Sequence, residues 1–495
     1  MRLTELMNAL APHTASLHAR PGIDPDITGL SADSRRLGAG YLFAGLPGVK
    51  HDGARFVPAA FAAGAEAALI GRQSDSGAAA IDKPILRADN PRQVWALLAA
   101  KFYGPQPRFV AGITGTNGKT SVAYFARLLW QALGHKAASL GTLGLIAPSL
   151  QRAGGLTTPD PVALHADLAR LAAEGVDHAA IEASSHGLDQ FRLDGIRFAA
   201  AAFTNLSRDH LDYHPDMGAY FAAKQRLFTE LLPAGGLAAI NADAPQASAL
   251  LEIARRRRHR IMRFGQAGHE LRLLAARPAA HGQHLVLDVL GSRHEIDLKL
   301  VGTFQAWNAL AALALVLAEQ VDPACAVAAL GQLHGAPGRL QHVATLGNGA
   351  AIFVDYAHTP DALETVLLGL RPHARGRLLA VFGCGGDRDA GKRPIMGAIA
   401  AANADFAIVT DDNPRSEDPA AIRAAVIAGA KGGNFREIGD RRAAIAAAID
   451  MLGAGDVLVI AGKGHESGQI VADTVVPFDD TAIARGLAQA RGAAT

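Results

Sequence analysis

Short uninterrupted apolar runs alternate along the chain with longer stretches whose apolar residues recur at helical spacing. That rhythm predicts strands interleaved with helices around mostly parallel sheets. In residues 1–105 the runs are brief and broken by turns, as in ITGLSADSRRLGAGYLFAGLPG and FVPAAFAAGAEAALIG, which predicts a small α/β domain. It ends near Tyr103–Pro107, a Gly/Pro stretch that reads as a linker. The next segment, RFVAGITGTNGKTSVAYFARLLWQALG, reads as strand, Gly-rich loop and amphipathic helix. Strand-like runs follow at HAAIEAS and RFAAAAFTN, with a helix predicted over Asp160–Glu174. Beyond Ala238–Asn241 the chain is polar and is expected to be turn-rich to about residue 300, after which GTFQAWNALAALALVLAEQ reads as a buried helix. A second boundary falls near Gly335–Gly338. Past it, AIFVDYAHTPDAL, RLLAVFGCGG, ADFAIVTDDNPR and DVLVIAGKGHE are four strand-then-loop units with helices between, the pattern of an open Rossmann-like sheet with a crevice at the strand ends. The expected fold is therefore α/β in three domains, 1–105, 106–335 and 336–495, the middle one built on a P-loop-type parallel sheet.

Composition narrows the class. Hydrophobic residues are 49% of the 495 and charged residues 19%, enough apolar surface for several cores and too much for a disordered chain. The 48 basic and 46 acidic residues leave a net charge of +2, without the basic excess of a nucleic-acid binder. The run Arg255–Arg260 reads as a solvated helix end rather than a binding patch. Two cysteines, Cys325 and Cys384, make neither a disulfide framework nor a cysteine zinc site, and a reducing compartment is expected. No segment is long and apolar enough for a membrane span, and Glu5 and Asn8 interrupt the place where a leader would be apolar. The expectation is a cytoplasmic protein, monomeric by default.

Candidate chemistry begins at Gly115-Thr116-Asn117-Gly118-Lys119-Thr120-Ser121, after a predicted strand and at a helix N-terminus. Glycines let backbone N–H groups curl round phosphate oxygens, and the helix end adds positive potential. Lys119 can reach the terminal phosphates and the Thr120 hydroxyl can ligate Mg²⁺. This loop predicts a nucleotide site but does not separate a kinase, an ATPase, a GTPase and a ligase. Next come Glu182 at a strand end, Ser184, His186, Gln190 and Arg192 behind it, Asp209 and His210 after the following strand, and Lys224 farther on. An acid and a histidine at strand ends beside a phosphate loop are natural metal ligands. Taken singly they read blandly: Glu182 as a capping acid, His210 as a turn residue, Lys224 as a solvated helix residue.

Together, GTNGKTS, EASSHGLDQ, TNLSRDHLDYH with its downstream lysine, DYAHTPDAL and GCGGDRD resemble the Mur ligases of bacterial peptidoglycan synthesis, in the family's order and over essentially the whole chain. Within that family the chain is most similar to the ligases that add meso-2,6-diaminopimelate, on the tetrapeptide Asp412-Asn413-Pro414-Arg415. Diaminopimelate differs from lysine by a distal carboxylate, which a guanidinium can hold bidentately. The resemblance adds Arg388, Gly462 and Glu466 to this amino-acid pocket. It implies Ser34, Val49, Lys50, His51, Thr157, Thr158, Ser184, Gln190 and Arg192 for a UDP-N-acetylmuramoyl-dipeptide, and Asn308, Arg339, Asp355 and His358 for ATP beside the loop. It further implies Mg²⁺ on Thr120, Glu182, His210 and a Lys224 carbamylated by CO₂.

The implied reaction activates a D-glutamyl γ-carboxylate as an acyl phosphate, which the amine of the incoming amino acid then attacks. Lys119 would neutralise charge in the first step; His210 and Asp355 are both candidates for the base in the second. Sites spread over three domains imply closure about hinges near Pro105 and Gly335–Gly338. A lysine-adding ligase of the same family and a folylpolyglutamate synthetase-like ligase are the alternatives.

Overall fold

The computed structural model describes residues 1–8, 10, 15–18, 22–48, 51–77, 82–279, 282–493. Among the described residues the strands form three large sheets and one two-stranded ribbon. The first sheet runs Ala15–His18, Ile85–Ala88, Ala65–Gly71, Tyr41–Gly45, Gly29–Ser31, parallel except for the first strand. The third runs Gln341–Thr345, Ala351–Asp355, Val457–Ala461, Leu378–Phe382, Phe406–Val409, Phe435–Glu437, again with one antiparallel edge strand.

The middle sheet is the largest. Phe109–Thr114 lies at its centre, parallel to His178–Glu182 on one side and Phe198–Phe203 on the other. Ala137–Gly141 follows beyond the first, and Leu237–Asn241 and Arg260–Gly265 beyond the second, all parallel. Every residue of Phe109–Thr114 is buried, as a strand covered by helices on both faces requires. Parallel pairing brings Thr114, Glu182, Phe203 and Asn241 to the same edge of the sheet. Helix Phe304–Val316 is apolar nearly all round and lies buried beneath this edge against helix Lys119–Ala132.

Residues 242–300 correct the expectation of a turn-rich stretch. They form helix Ala247–Arg256 and then strands Arg260–Gly265, Leu271–Ala279, Gly282–Val289 and Ser292–Leu298, the last three joined antiparallel at the sheet margin. Their polar composition conceals a period of two: Leu271, Leu273, Leu285, Leu287 and Val289 enter the core, while Arg272, Leu274 and Arg293 face outward. The middle sheet is therefore parallel in its body and antiparallel at both margins. Arg255–Arg258 is an exposed helix end as expected, but His259 turns inward, with its ring nitrogens against the carbonyls of Phe228 and Pro233 at 2.9 and 3.1 Å.

The sheets are tied by specific contacts. Gln106, inside the expected linker, donates to the Gly195 carbonyl and accepts from the Arg197 N–H. Gln93 and Arg226 both donate to Oδ1 of the buried Asp194, at 3.0 and 2.7 Å. The first linker is thus clamped on its far side. On the other flank His373 donates to the Ala279 carbonyl and accepts from the Gly302 N–H.

The core of the third sheet holds a fully buried ion pair. Arg441 reaches Asp480 through two hydrogen bonds of 2.8 and 2.7 Å, and both side chains have no exposed surface. Removing one partner strands a charge in an apolar interior, so Asp480→Ala is expected to destabilise the protein by about 3–5 kcal/mol. Denaturant unfolding checks this, and an unshifted midpoint would contradict the account.

Candidate functional site

Two turns at the ends of adjacent strands interlock to form the floor of the site. The Thr116 N–H donates to the Asn205 carbonyl, and the Asn117 N–H to Asn205 Oδ1, each at 2.9 Å. In return, Thr204 Oγ1 donates to the Asn117 carbonyl at 2.6 Å and the Ser207 N–H to Thr116 Oγ1 at 3.0 Å. Gly115 has φ +149° and a Cβ there would lie 1.9 Å from Thr204 Oγ1, so no side chain fits. Gly118 is left-handed at φ +89° and caps helix Lys119–Ala132, whose free N–H groups open towards the cavity above.

Two lysines converge on this loop from below and beside it. Lys119 Nζ donates to the carbonyls of Gly115 and Thr116 at 2.9 and 2.7 Å, folded back on its own loop. Lys224 Nζ donates to the same Gly115 carbonyl at 2.8 Å and sits 4.2 Å from the Tyr220 ring centre. Lys224 is 1% exposed, so the reading of it as a solvated helix residue is wrong. Burial first, and the Lys119 charge second, hold its pKa well below the usual lysine range. Burial also lowers the pKa of Lys119, against the opposing pull of Glu182 and Asp209.

Glu182 is the acid of the site and is 2% exposed. Its carboxylate accepts from Thr120 Oγ1 at 3.0 Å, the Thr142 N–H at 2.8 Å and the Thr142 hydroxyl at 3.2 Å. It thereby joins the phosphate-loop helix to the ends of two strands. His210 takes φ +55° beside Asp209, and its ring centre is 4.8 Å from that of His186. Burial pushes His210 down to about 4, with Asp209 opposing and the two lysines adding to it, so its imidazole is neutral near pH 7 with a lone pair to offer.

Above the loop, a cavity of about 620 Å³ lies between the middle and third sheets. Thr116–Ser121, Asn308, Arg339, Asp355 and His358 all line it. Asn308 is buried, its Oδ1 2.5 Å from where a Cβ on Gly118 would stand, and it donates to Gln305 at 2.9 Å. Arg339 lies over the Tyr356 ring at 4.3 Å and donates to Thr120 Oγ1 at 3.2 Å. Asp355 accepts from the Leu340 and Ala357 N–H groups, while burial raises its pKa. Asp361 closes the junction: one oxygen accepts from both Asn117 and Ser207 at 2.8 Å.

Asp412–Arg415 lies beside Gly462 and Glu466 in the third sheet's loops. Asn413 donates to Glu466 at 2.9 Å and accepts from Lys463 and the Ile470 N–H. Its amide is thus engaged by Glu466, Lys463 and the Ile470 N–H. Asp412 is buried, and its Oδ2 has no hydrogen-bond partner among the described residues. A side chain on Gly462 would approach that oxygen to 2.4 Å. Arg415 is left-handed at φ +51°, and its Nη1 donates to the Gly386 carbonyl at 2.7 Å. The Pro414 carbonyl packs where a Cβ on Gly386 would stand. Arg388 is exposed on the neighbouring turn.

Of the residues expected to hold a UDP-substrate, Thr157, Thr158, Ser184, Gln190 and Arg192 form one connected group. Thr158 Oγ1 donates to the Glu182 carbonyl at 2.7 Å and meets Ser184 Oγ at 2.9 Å. Arg192 donates to the Thr158 carbonyl at 2.8 Å and to Gln190 at 2.6 Å. Thr157 reaches the group through the Thr142 hydroxyl at 3.1 Å. Ser34 and His51 belong to the first sheet's turns, where His51 is exposed and Ser34 half-buried. Val49 and Lys50 lie outside the described residues.

Sequence reasoning passed over Thr142, Asn205, Asp361, Tyr220 and Lys463. Asn205 lies two residues past the end of strand Phe198–Phe203 and Lys463 stands inside the GKGHE string, so position gave a usable signal for both. Asp361 follows the helix cap Thr359 and reads locally as nothing more than a first-turn acid.

Residues 26–103, 113–316 and 338–464 match, in that order, the Mur ligase family catalytic domain, the Mur ligase middle domain and the Mur ligase glutamate ligase domain. The UDP-N-acetylmuramoyl-L-alanyl-D-glutamate--2,6-diaminopimelate ligase of Bradyrhizobium diazoefficiens is 51% identical over 99% of both chains. A solved structure of a ligase of that name is 34% identical, covers 94% of this chain and 95% of its own, and superposes with a TM-score of 0.69. The Mycobacterium tuberculosis folylpolyglutamate synthase, complexed with ADP and AMPPCP, shares the fold at 24% identity. It covers 74% of this chain and 90% of its own, with a TM-score of 0.61.

The crowding at Gly115 generates a direct test. Gly115→Ala must displace Thr204 or unwind the loop, and is expected to weaken nucleoside triphosphate binding at least about tenfold, or about 1.4 kcal/mol. Titration calorimetry reads it, and unchanged affinity would remove the loop from the binding site.

Proposed function

The chain belongs to the Mur ligase family, and from that premise we propose that it adds meso-2,6-diaminopimelate to the D-glutamyl γ-carboxylate of UDP-N-acetylmuramoyl-L-Ala-D-Glu at the expense of ATP. What carries the reading is the near full-length identity to ligases of that activity, together with Asp412–Arg415 folded against Gly462 and Glu466. In this reading residues 1–105 bind the uridine end of the substrate, 106–335 bind ATP and 336–495 bind the amino acid.

ATP would place its phosphates over Gly115–Ser121, with Asn308, Arg339, Asp355 and His358 around the rest of the cavity. Arg192, Gln190, Ser184 and Thr158 would hold the anionic substrate so that its γ-carboxylate faces the terminal phosphorus. Carboxylate oxygen attacks phosphorus, ADP leaves, and an acyl phosphate forms. The diaminopimelate amine then attacks the acyl carbon, the C–O bond to phosphate breaks, and one proton is given up. Both reactants in the first step are anions, so cationic groups are needed where they meet. Lys119 would supply one by exchanging the loop carbonyls for phosphate oxygens, a small movement of a long side chain.

Two donors present fit magnesium, a hydroxyl at Thr120 and a carboxylate at Glu182, and His210 would add a nitrogen donor beside them. Bound there, Mg²⁺ would neutralise phosphate charge. Lys224 fits carbamylation because burial favours its neutral amine, the form that adds CO₂ and releases a proton to give an anionic carbamate. In the amino-acid pocket the free Oδ2 of Asp412 suits an ammonium group, and Arg415 the distal carboxylate.

Three outcomes are expected. Phosphate release with ATP, Mg²⁺ and the UDP-dipeptide should strongly prefer meso-diaminopimelate to L-lysine at equal concentration. Arg415→Ala should raise the Michaelis constant for diaminopimelate by the equivalent of about 2–4 kcal/mol; lysine preference, or an unmoved constant in the variant, would sink the specificity role. Lys224→Ala should lose activity and regain part of it with short-chain carboxylates. Full activity without them would remove the carbamate.

A further inference from the structure

At the opposite edge of the middle sheet from Glu182, three side chains from two adjacent strand starts come together. His178 opens strand His178–Glu182, Asp177 precedes it, and His135 lies in the turn before strand Ala137–Gly141. His178 is fully buried, its ring stacked on Phe109 with centres 5.4 Å apart and tilted against Trp130 at 5.1 Å. Its Nδ1 lies 2.9 Å from Asp177 Oδ1, and its Nε2 contacts Glu319 Oε2. His135 Nδ1 is 3.5 Å from Asp177 Oδ2, and the two imidazole centres are 4.2 Å apart. A ring nitrogen of each histidine and an oxygen of Asp177 all lie within 4.8 Å of one another.

A neutral imidazole carries one N–H, yet both nitrogens of His178 face carboxylate oxygens. With one N–H donated from Nε2 to Glu319, the Nδ1 lone pair faces Asp177, an arrangement that a cation held by both groups resolves. Glu319 is itself held by Arg108 at 2.6 Å, so the carboxylate behind the ring is fixed. A carboxylate accepting from the far nitrogen of a histidine is the arrangement that orients metal-bound imidazoles. Tetrahedral bonds of about 2.1 Å place neighbouring donors about 3.4 Å apart; here His135 Nδ1 is 3.5 Å and His178 Nδ1 2.9 Å from the Asp177 carboxylate.

We propose that His135, Asp177 and His178 bind a divalent transition-metal ion of the zinc type, with Glu319 as the residue positioning His178. Two imidazoles and one carboxylate suit zinc, cobalt, nickel or copper rather than magnesium or calcium, which take oxygen ligands. Asp177 and His135 are 38% and 29% exposed, which leaves a solvent path and room for water as a fourth ligand. The ion would clasp the starts of two strands whose far ends hold the Gly141–Thr142 turn and Glu182. It is distinct from the nucleotide site by the length of a strand, roughly 15 Å.

Cobalt(II) titration of the chelator-treated full chain, in excess Mg²⁺ to occupy oxygen-ligand sites, tests this. The wild type should take up a tightly held equivalent with the visible absorption of a tetrahedral site. His135→Ala and Asp177→Asn should each bind one equivalent less and lose that absorption, and zinc should raise the melting temperature of the wild type but of neither variant. Both substitutions fall on partly exposed side chains, and His135→Gln serves if His135→Ala melts early without metal. Equal stoichiometry and spectra in wild type and variants, including no binding in any, would overturn the site and leave an imidazolium between two carboxylates.

Discussion

Everything in the site hangs on the interlocking of two strand-end turns. Thr116 and Asn117 give their N–H groups to Asn205, while Thr204 and Ser207 return hydrogen bonds to Asn117 and Thr116. Such buried backbone groups must be paired, so neither turn can shift without stranding the other. The close approach excludes a Cβ at Gly115, and the same turn aims its carbonyl downward at Lys224 and Lys119. Because the strands run parallel, the loop, Glu182 and the Thr204–Ser207 turn open on one edge, the place where an α/β sheet holds its ligand.

Charge is concentrated around that loop. Two lysine side chains share one carbonyl, one buried carboxylate is satisfied by two threonines, and a third-sheet acid reaches across to Asn117 and Ser207. Burial takes both ammonium groups out of water, and the nearby acids offset this only in part, so the pKa of both lysines is lowered. A polyanion arriving over the helix N-terminus would give Lys119 a better partner than a carbonyl. Asp361 makes the loop a junction between the middle and third sheets.

Much of the fold was legible because parallel strands write themselves as apolar runs. Phe109–Thr114, His178–Glu182 and Phe198–Phe203 were recognisable for that reason, and Phe304–Val316 was recognisable as a helix apolar on all sides. Residues 271–298 escaped because a strand with one solvated face carries as many polar residues as a loop, and only its alternation distinguishes it. In the site, strings with local meaning were readable: glycines before a lysine and threonine, an acid at a strand end, an arginine after Asp-Asn-Pro. Lys224 was not readable from its surroundings, since a lysine in a short helix is ordinarily solvated and only family resemblance drew attention to it.

The sequence by itself determined the order of strands and helices outside residues 242–300, the Gly-rich turn and helix start at Gly115–Ser121 and the family, because each rests on residues close together in the chain or on motifs kept in order. Tertiary structure alone decided which distant groups share an environment. It buried Lys224 under a loop more than a hundred residues away in sequence, brought Asp361 to Asn117, engaged Asn413 with Lys463 and left Asp412 Oδ2 open. It also set His178 between Asp177 and Glu319. The reason is that desolvation and Coulomb energy depend on distance through space, and chain proximity carries little information about either.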